Sequence, residues 1–465
     1  MECGEVETQK IEKTIEEIVE KETADLMGLT FSCVCGRIHS IPIEYLSVKK
    51  GAVNEIKAQM DLRGLAGNGG LIFDKTIERN VVRNILKTLE AEGITLSQYP
   101  VGDGYELLKP EIELSNQIAN RIEENTDFLF SAGSGVICDL TKNAAAFREL
   151  PFFLIATAPS MNGYTSSMAA LTDKGIKKTI MVPPARAVFA DIDILRESPI
   201  EMVRSGLGDI VSKSVCNADW KLSQLVKDTY FCPVPFKLTD KSESLYLDSA
   251  EEISARTEYG ISVLTDGIMR SGLSMTIIGT STPSSGAEHL ISHYWDLIAL
   301  IEGKEKYFHG VQVGVTTVIM LKLFDYIRNF PVKEKVSIKK LKSSYPPKES
   351  VNEYIERKFG KYAEGVKQEF FQKYMSWEVK QKEMEYIIEK WQDIWEELDP
   401  YIRPSAPVIN ALKTSGAAYD YTHLGKTKDE ICRDIRDAIF IRGRYTVLDL
   451  AEDLGILEET FERVL

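Results

Sequence analysis

A chain of 465 residues is too long for one hydrophobic core and predicts two or three domains. Its composition is that of a globular protein, and a formal net charge of −14 argues against a nucleic-acid partner, which needs a basic face to displace counterions. No stretch reaches the ~20 apolar residues of a membrane span. The acidic, amphipathic Met1 to Asp25 segment is unlike a secretory signal, so the expected location is cytoplasmic. Seven scattered cysteines, an odd number, suit reduced thiols better than a disulfide framework.

The first motif is Cys33-Val-Cys35-Gly-Arg-Ile-His39. It offers three ligands where structural zinc takes four, so a plain hairpin is the favoured reading over a metal knuckle. Strands are expected at Gly70 to Asp74, Thr95 to Val101, Phe128 to Phe130, Phe152 to Ala156 and Ala187 to Ile192. Helical spacing is expected over Ile77 to Leu89, Ile112 to Ile122 and Asp139 to Leu150, with a short hairpin arm from Lys177 to Pro184. Strand–helix alternation predicts a mainly parallel sheet covered by helices. After Leu195 strand signals nearly vanish. Ser198-Pro199-Ile-Glu201 reads as a helix start with Ser as cap, and helices dominate to the end, including a charged segment from Glu353 to Glu397 broken only near Pro400. The expected division is an α/β domain over residues 1–195 and an all-α domain over 196–465.

Three of the five histidines, His289, His293 and His309, fall within 21 positions. The first two are four apart on one helical face, and His309 opens the next helix. Imidazole is the commonest protein ligand for zinc, nickel and iron, so a metal is favoured over histidines that merely face solvent. Such a site needs a carboxylate, and Gly206-Leu-Gly208-Asp209 is the best source. Two glycines in a helix cost roughly 1 kcal/mol each and suggest close approach to a neighbour or ligand. Lys213 lies one turn on, either as an i,i+4 partner of Asp209 or facing substrate. Gly133-Ser134-Gly135 at a strand-to-helix junction is a plausible phosphate cradle, with Asp139 and Lys142 on the following helix. Thr157-Ala-Pro-Ser160 ends the next strand, where open sheets bind ligands. Asp74 ends its strand either as an acceptor for adenine-ribose hydroxyls, favouring NAD, or as a turn former.

Gly133-Ser-Gly-Val-Ile-Cys-Asp139-Leu-Thr-Lys142 resembles the cofactor motif of iron-type alcohol dehydrogenases and dehydroquinate synthases. Thr157 to Ser166, Ala190-Asp-Ile-Asp193, Gly206 to Asp209, Ala218-Asp-Trp-Lys221, Ser284 to His293 and His309 to Gly314 resemble the glycerol-1-phosphate dehydrogenase branch. The cysteine motif and Arg442-Gly-Arg-Tyr-Thr-Val-Leu-Asp449 resemble its bacterial members. The resemblance implies a Rossmann-like domain followed by a helical one, a homodimer, NAD or NADP, and one divalent metal (zinc, nickel or iron). It implies dihydroxyacetone phosphate and sn-glycerol 1-phosphate as substrate and product. Asp209, His289 and His309 would hold the metal, and His293 would contact substrate or relay a proton. Gly133, Ser134, Gly135, Asp139, Thr157, Ser160 and Ser166 would line the cofactor. One position departs: the family's substrate-touching Asp is here Asn162, which keeps hydrogen bonding without charge. Rival readings are another polyol dehydrogenase, a cyclase of the dehydroquinate type (which has Glu at the position of Asp209), or a catalytically silent binding homologue.

Overall fold

The computed structural model describes residues 14–104, 108–173 and 176–465. The hairpin expected at the cysteine motif is present: β1 (Thr30–Ser32) pairs antiparallel with β2 (Ile38–Ser40), Phe31 opposite His39. Six strands then form one parallel sheet: β3 (Tyr45–Lys49), β4 (Gly69–Asp74), β5 (Leu96–Val101), β6 (Phe128–Gly133), β7 (Phe152–Ala156) and β10 (Ala187–Asp191). Their order is β3-β10-β7-β6-β4-β5. The inner strands β6 and β7 are buried along their whole length, as a sheet covered on both faces requires, and Phe128, Phe130 and Phe153 pack ring against ring at 5.2–6.2 Å. Strand order reverses at β4 and β6, and the Gly133-Ser134-Gly135 turn leaves the end of β6 at that point.

All five anticipated strands are in this sheet. The edge strand β3 was not anticipated: Tyr45-Leu-Ser-Val-Lys49 is short and mixed in polarity, and pairs on one side only. The arm expected near Lys177 is a longer antiparallel ribbon, β8 (Met168–Asp173) with β9 (Ile176–Met181). Strands end at Asp191 and only helices follow.

By compactness the chain forms two units that interleave along the sequence. The sheet-bearing unit takes 1–210, 232–281 and 414–416; the helical unit takes 211–231, 282–413 and 417–465. The Glu258–Ile278 helix belongs to the first because it packs against the loop after β7: Thr165 Oγ1 donates to the Met269 carbonyl at 2.7 Å, and Thr276 Oγ1 to the Thr165 carbonyl at 2.8 Å.

Three helical expectations need correcting. The Ser198 hydroxyl donates backward to the Leu195 carbonyl at 2.7 Å instead of capping the Ile200–Ile210 helix. That helix stops at Ile210 and another begins at Lys213, so no single helix runs from Asp209 to Lys213. The charged stretch from 353 to 397 is not one helix but parts of four, Lys348–Phe359, Ala363–Phe370, Trp377–Glu389 and Trp391–Leu398; the first ends at Gly360, whose φ of +53° a helix cannot continue. In the helical unit, His309–Arg328 is long and apolar enough to cross a membrane by composition, but 78% of its apolar window is buried in the protein, as in a core helix.

Candidate active site

In the sheet-bearing unit the glycine turn is tight by necessity. A Cβ on Gly133 would lie 2.5 Å from that of Ile137, and one on Gly135 would lie 2.7 Å from Met161 Cγ. Ser134 is the extended residue before the Gly135–Phe147 helix, so the amides at the start of that helix face the end of β6. Thr157 is tied alongside, its amide donating to the Gly133 carbonyl at 3.2 Å. Lys142 organises the next loop: its ammonium donates to the carbonyls of Gly163 (2.6 Å), Ser166 (2.8 Å) and Met168 (3.2 Å) and to Ser166 Oγ (3.2 Å). Asp139 accepts the Ala170 amide at 3.1 Å, and burial pushes its carboxyl up to about 6 despite Lys142. Ser160 meets Tyr164 Oη at 3.3 Å, and Tyr164 donates to the Ala158 carbonyl at 2.6 Å. At the end of β4, Asp74 Oδ1 accepts the Thr76 amide (2.8 Å) and hydroxyl (2.7 Å), which makes it a turn former whatever else it does.

Asn162 sits on this loop and grips Asp209. Its amide N–H donates to Asp209 Oδ2 at 2.9 Å and its side-chain nitrogen to Oδ1 at 3.2 Å. The glycines before Asp209 explain the approach: a Cβ on Gly206 would fall 1.8 Å from the Pro159 carbonyl oxygen. The Ile200–Ile210 helix therefore lies directly on the loop, and the Ser205 hydroxyl donates to the Ser160 carbonyl at 3.3 Å. Asp209 is buried at 1% exposure, one residue before the point where the chain passes to the helical unit.

In the helical unit the three histidines come together, with ring centroids 5.1 Å apart for His289 and His309, 5.3 Å for His293 and His309, and 5.9 Å for His289 and His293. The His293 and His309 rings are stacked at 7°. Ligand atoms of His293, Asp296 and His309 lie within 4.8 Å of one another. The tautomers are legible. His289 Nδ1 is 2.6 Å from Glu288 Oε1; a carboxylate only accepts, so Nδ1 carries the hydrogen and Nε2 the lone pair. His309 Nδ1 is 3.2 Å from Ser292 Oγ, whose own hydrogen goes to Gln312 Oε1 at 2.9 Å; the serine must accept, and the lone pair again falls on Nε2. Gln312 is oriented by Asp296, which accepts from its Nε2 at 3.4 Å. This is the form in which imidazole binds a metal.

Residues outside the expected site hold the first histidine helix. Asp219 accepts the amides of Ala287 and Val447, both at 2.7 Å, at the start of Ala287–Glu302. Arg444 donates to the Ser285 carbonyl at 2.7 Å, and burial pushes its guanidinium down to about 10. The Arg442 to Asp449 motif is thus a brace for the histidine helix. Asp191 does similar work in the other unit, accepting the amides of Gly51, Val53 and Asp193. Lys213 is buried, and its ammonium has no hydrogen-bond partner among the described residues. Glu288 was one position from a predicted ligand and could have been read from sequence as its orienter. Ser292 and Gln312 could not, because their relation to His309 arises only where two helices meet.

Comparison with known proteins agrees with this architecture. Residues 47–199 match the family model described as iron-containing alcohol dehydrogenase. The glycerol-1-phosphate dehydrogenase [NAD(P)+] of Halalkalibacterium halodurans is 34% identical over 295 residues, 63% of this chain and 73% of that one. That of Geobacillus stearothermophilus is 33% identical over 318 residues, 68% and 76% of the two chains. The chain belongs to the glycerol-1-phosphate dehydrogenase family, within the iron-containing alcohol dehydrogenases. Among solved structures, a probable glycerol dehydrogenase from Sinorhizobium meliloti 1021 shares the fold with a TM-score of 0.57 at 12% identity, over 90% of this chain and 97% of that one. The glycerol dehydrogenase of Schizosaccharomyces pombe does so with 0.55 at 12%, over 90% of each.

Proposed function

We propose that this chain is an oxidoreductase that uses NAD(P) and one divalent metal to interconvert dihydroxyacetone phosphate and sn-glycerol 1-phosphate. The observation that carries this reading is the pair of imidazoles with Nδ1 committed to Glu288 and Ser292, found in a chain whose relatives bear that activity in their names. Asp209, His289 and His309 are the proposed ligands; two neutral imidazoles and a carboxylate suit zinc, nickel or iron and leave a position for substrate. When bound, the metal supplies Lewis acidity toward the ketone and the reduced nicotinamide supplies the hydride.

The chain's own groups do the rest. Gly133, Ser134 and Gly135 present amides to the cofactor's pyrophosphate, while Thr157, Ser160 and Ser166 shape the wall beside it and Asp139 and Lys142 hold that wall in place. Asn162 keeps Asp209 aligned and has hydrogen-bonding capacity for a substrate hydroxyl. His293, beside His309, delivers the proton to the oxygen that was the carbonyl. Lys213 offers a buried positive charge to the anionic substrate. Asp74 disfavours a 2′-phosphate and so favours NAD over NADP. A homodimer is part of the reading through the family alone, and light scattering on the eluting protein tests it.

The deciding experiment is NADH oxidation by metal-reconstituted protein given dihydroxyacetone phosphate, dihydroxyacetone or glyceraldehyde 3-phosphate, with zinc, nickel and iron in turn. Activity confined to dihydroxyacetone phosphate is expected. Turnover of another ketone would retain the chemistry and replace the substrate. Silence with all three in protein carrying metal would overturn the proposal.

A further inference from the structure

The three-ligand cysteine motif acquires a fourth partner in the fold. Cys232, between the Lys213–Lys227 and Val234–Asp248 helices, belongs to the sheet-bearing unit with the β1–β2 hairpin. It brings its sulfur to that motif, and ligand atoms of Cys33, Cys35, His39 and Cys232 all lie within 4.8 Å of one another. We infer that these four residues form a structural zinc site, distinct from the metal proposed for catalysis.

Three of the six edges lie close to those of a zinc tetrahedron. Zinc–sulfur bonds of about 2.3 Å and zinc–nitrogen bonds of about 2.0 Å give edges of about 3.8 Å between sulfurs and about 3.5 Å between sulfur and nitrogen. Here Cys33 Sγ lies 3.6 Å from Cys232 Sγ, and His39 Nε2 lies 3.2 Å from Cys35 Sγ and 3.6 Å from Cys232 Sγ. The histidine is set for the role. Its Nδ1 is 2.9 Å from the Ile277 carbonyl, which can only accept, so the lone pair is on the nitrogen that faces the sulfurs. That carbonyl lies in the last turn of the Glu258–Ile278 helix, where no intrahelical donor reaches it.

The hairpin loop is wound for ligation as well. Gly36 takes a φ of +81°, its amide donates to the Cys33 carbonyl at 2.9 Å, and the Cys33 amide donates to the Arg37 carbonyl at 3.0 Å. Cys33, His39 and Cys232 are 4%, 4% and 0% exposed. A disulfide between Cys33 and Cys232 would use two of the four groups and leave Cys35 and the orientation of His39 without a purpose. With four protein ligands there is no open position, which makes the site structural. It pins the hairpin to chain 193 positions beyond His39.

The test is metal analysis of full-length protein purified under reducing conditions, in a His309→Ala background and after dialysis against EDTA to remove weakly held metal. About one zinc per chain is expected to remain, and adding Cys232→Ser should bring it to about zero. A mercurial that caps thiols should release the zinc from the unsubstituted protein and lower its thermal midpoint. Should the serine variant fail to fold, cobalt(II) exchanged into the wild-type chain should show thiolate-to-cobalt charge transfer and the intense visible bands of a tetrahedral site. Zinc-free protein, zinc retained in the soluble serine variant, cobalt without thiolate absorption, or a Cys33–Cys232 disulfide in an unreduced peptide map would each overturn the inference. None of these readouts depends on activity with dihydroxyacetone phosphate.

Discussion

In the sheet-bearing unit, His39 gives its Nδ1 hydrogen to the Ile277 carbonyl and turns its lone pair toward three sulfurs. In the helical unit, His289 and His309 give theirs to Glu288 and Ser292, and their neighbours are another imidazole and a carboxylate. Both clusters use a fixed acceptor to choose the tautomer. They differ in what surrounds the lone pair. Three thiolates and an imidazole that fill every position favour a permanently held zinc, whereas imidazole and carboxylate donors with a position to spare favour an ion that meets substrate. The orienting groups differ too: a backbone carbonyl cannot be lost by mutation, while a carboxylate and a hydroxyl can. The open cluster is therefore the more tunable of the two.

The largest effect should come from His309→Ala. Loss of one of three proposed ligands should abolish the exchangeable metal and lower kcat/KM by about 10³-fold or more, several kcal/mol of charge stabilisation. Metal analysis beside NADH oxidation checks it, and full metal content in the variant would break the comparison at its open end. Next is Gly206→Ala, which drives a methyl into the Pro159 carbonyl oxygen 1.8 Å away. Relief requires the Asp209 helix to lift from the Asn162 loop, at about 1–3 kcal/mol in stability by analogy with overpacked cores. A urea midpoint equal to wild type would show that the contact is soft.

Glu288→Gln sharpens the contrast between orienting groups. The amide oxygen still accepts from His289 Nδ1 but has no charge, so metal affinity should fall about 10–100-fold while folding is little changed. Competition with a chelating dye measures it, and unchanged affinity would mean the carboxylate serves only the Gly286 amide, which it also accepts at 2.9 Å. The remaining effect is pH-dependent and concerns Asp139, a buried carboxylate outside both clusters. Its folded pKa is raised from 3.8 to about 6, so the folded state holds the proton more tightly and stability falls as pH rises between those values. Asp139→Asn, which can still accept the Ala170 amide, should remove that fall. Its stability relative to wild type should improve from pH 4 to about pH 6 and then level off. Urea midpoints at several pH values decide it, and a constant difference would contradict the assignment.

Much of this protein was determined by local sequence. The runs at Leu71, Phe128, Phe152 and Ala187 are uniformly apolar because a parallel sheet is covered on both faces, and that pattern is visible without a partner. The spacing of His289 and His293 and the glycines at 133, 135, 206 and 208 were visible for the same reason, since each obeys a rule of short range. Tertiary structure alone decided the rest. Tyr45–Lys49 became a strand by pairing with a segment some 140 positions away. Asn162 became the clamp on Asp209 across 47 positions, and Ser292 the orienter of His309 between two helices. Cys232 joined a cysteine motif 199 positions from Cys33. A side chain's type limits what it can bond to, but which partner it meets depends on how distant segments pack, and no local periodicity encodes that.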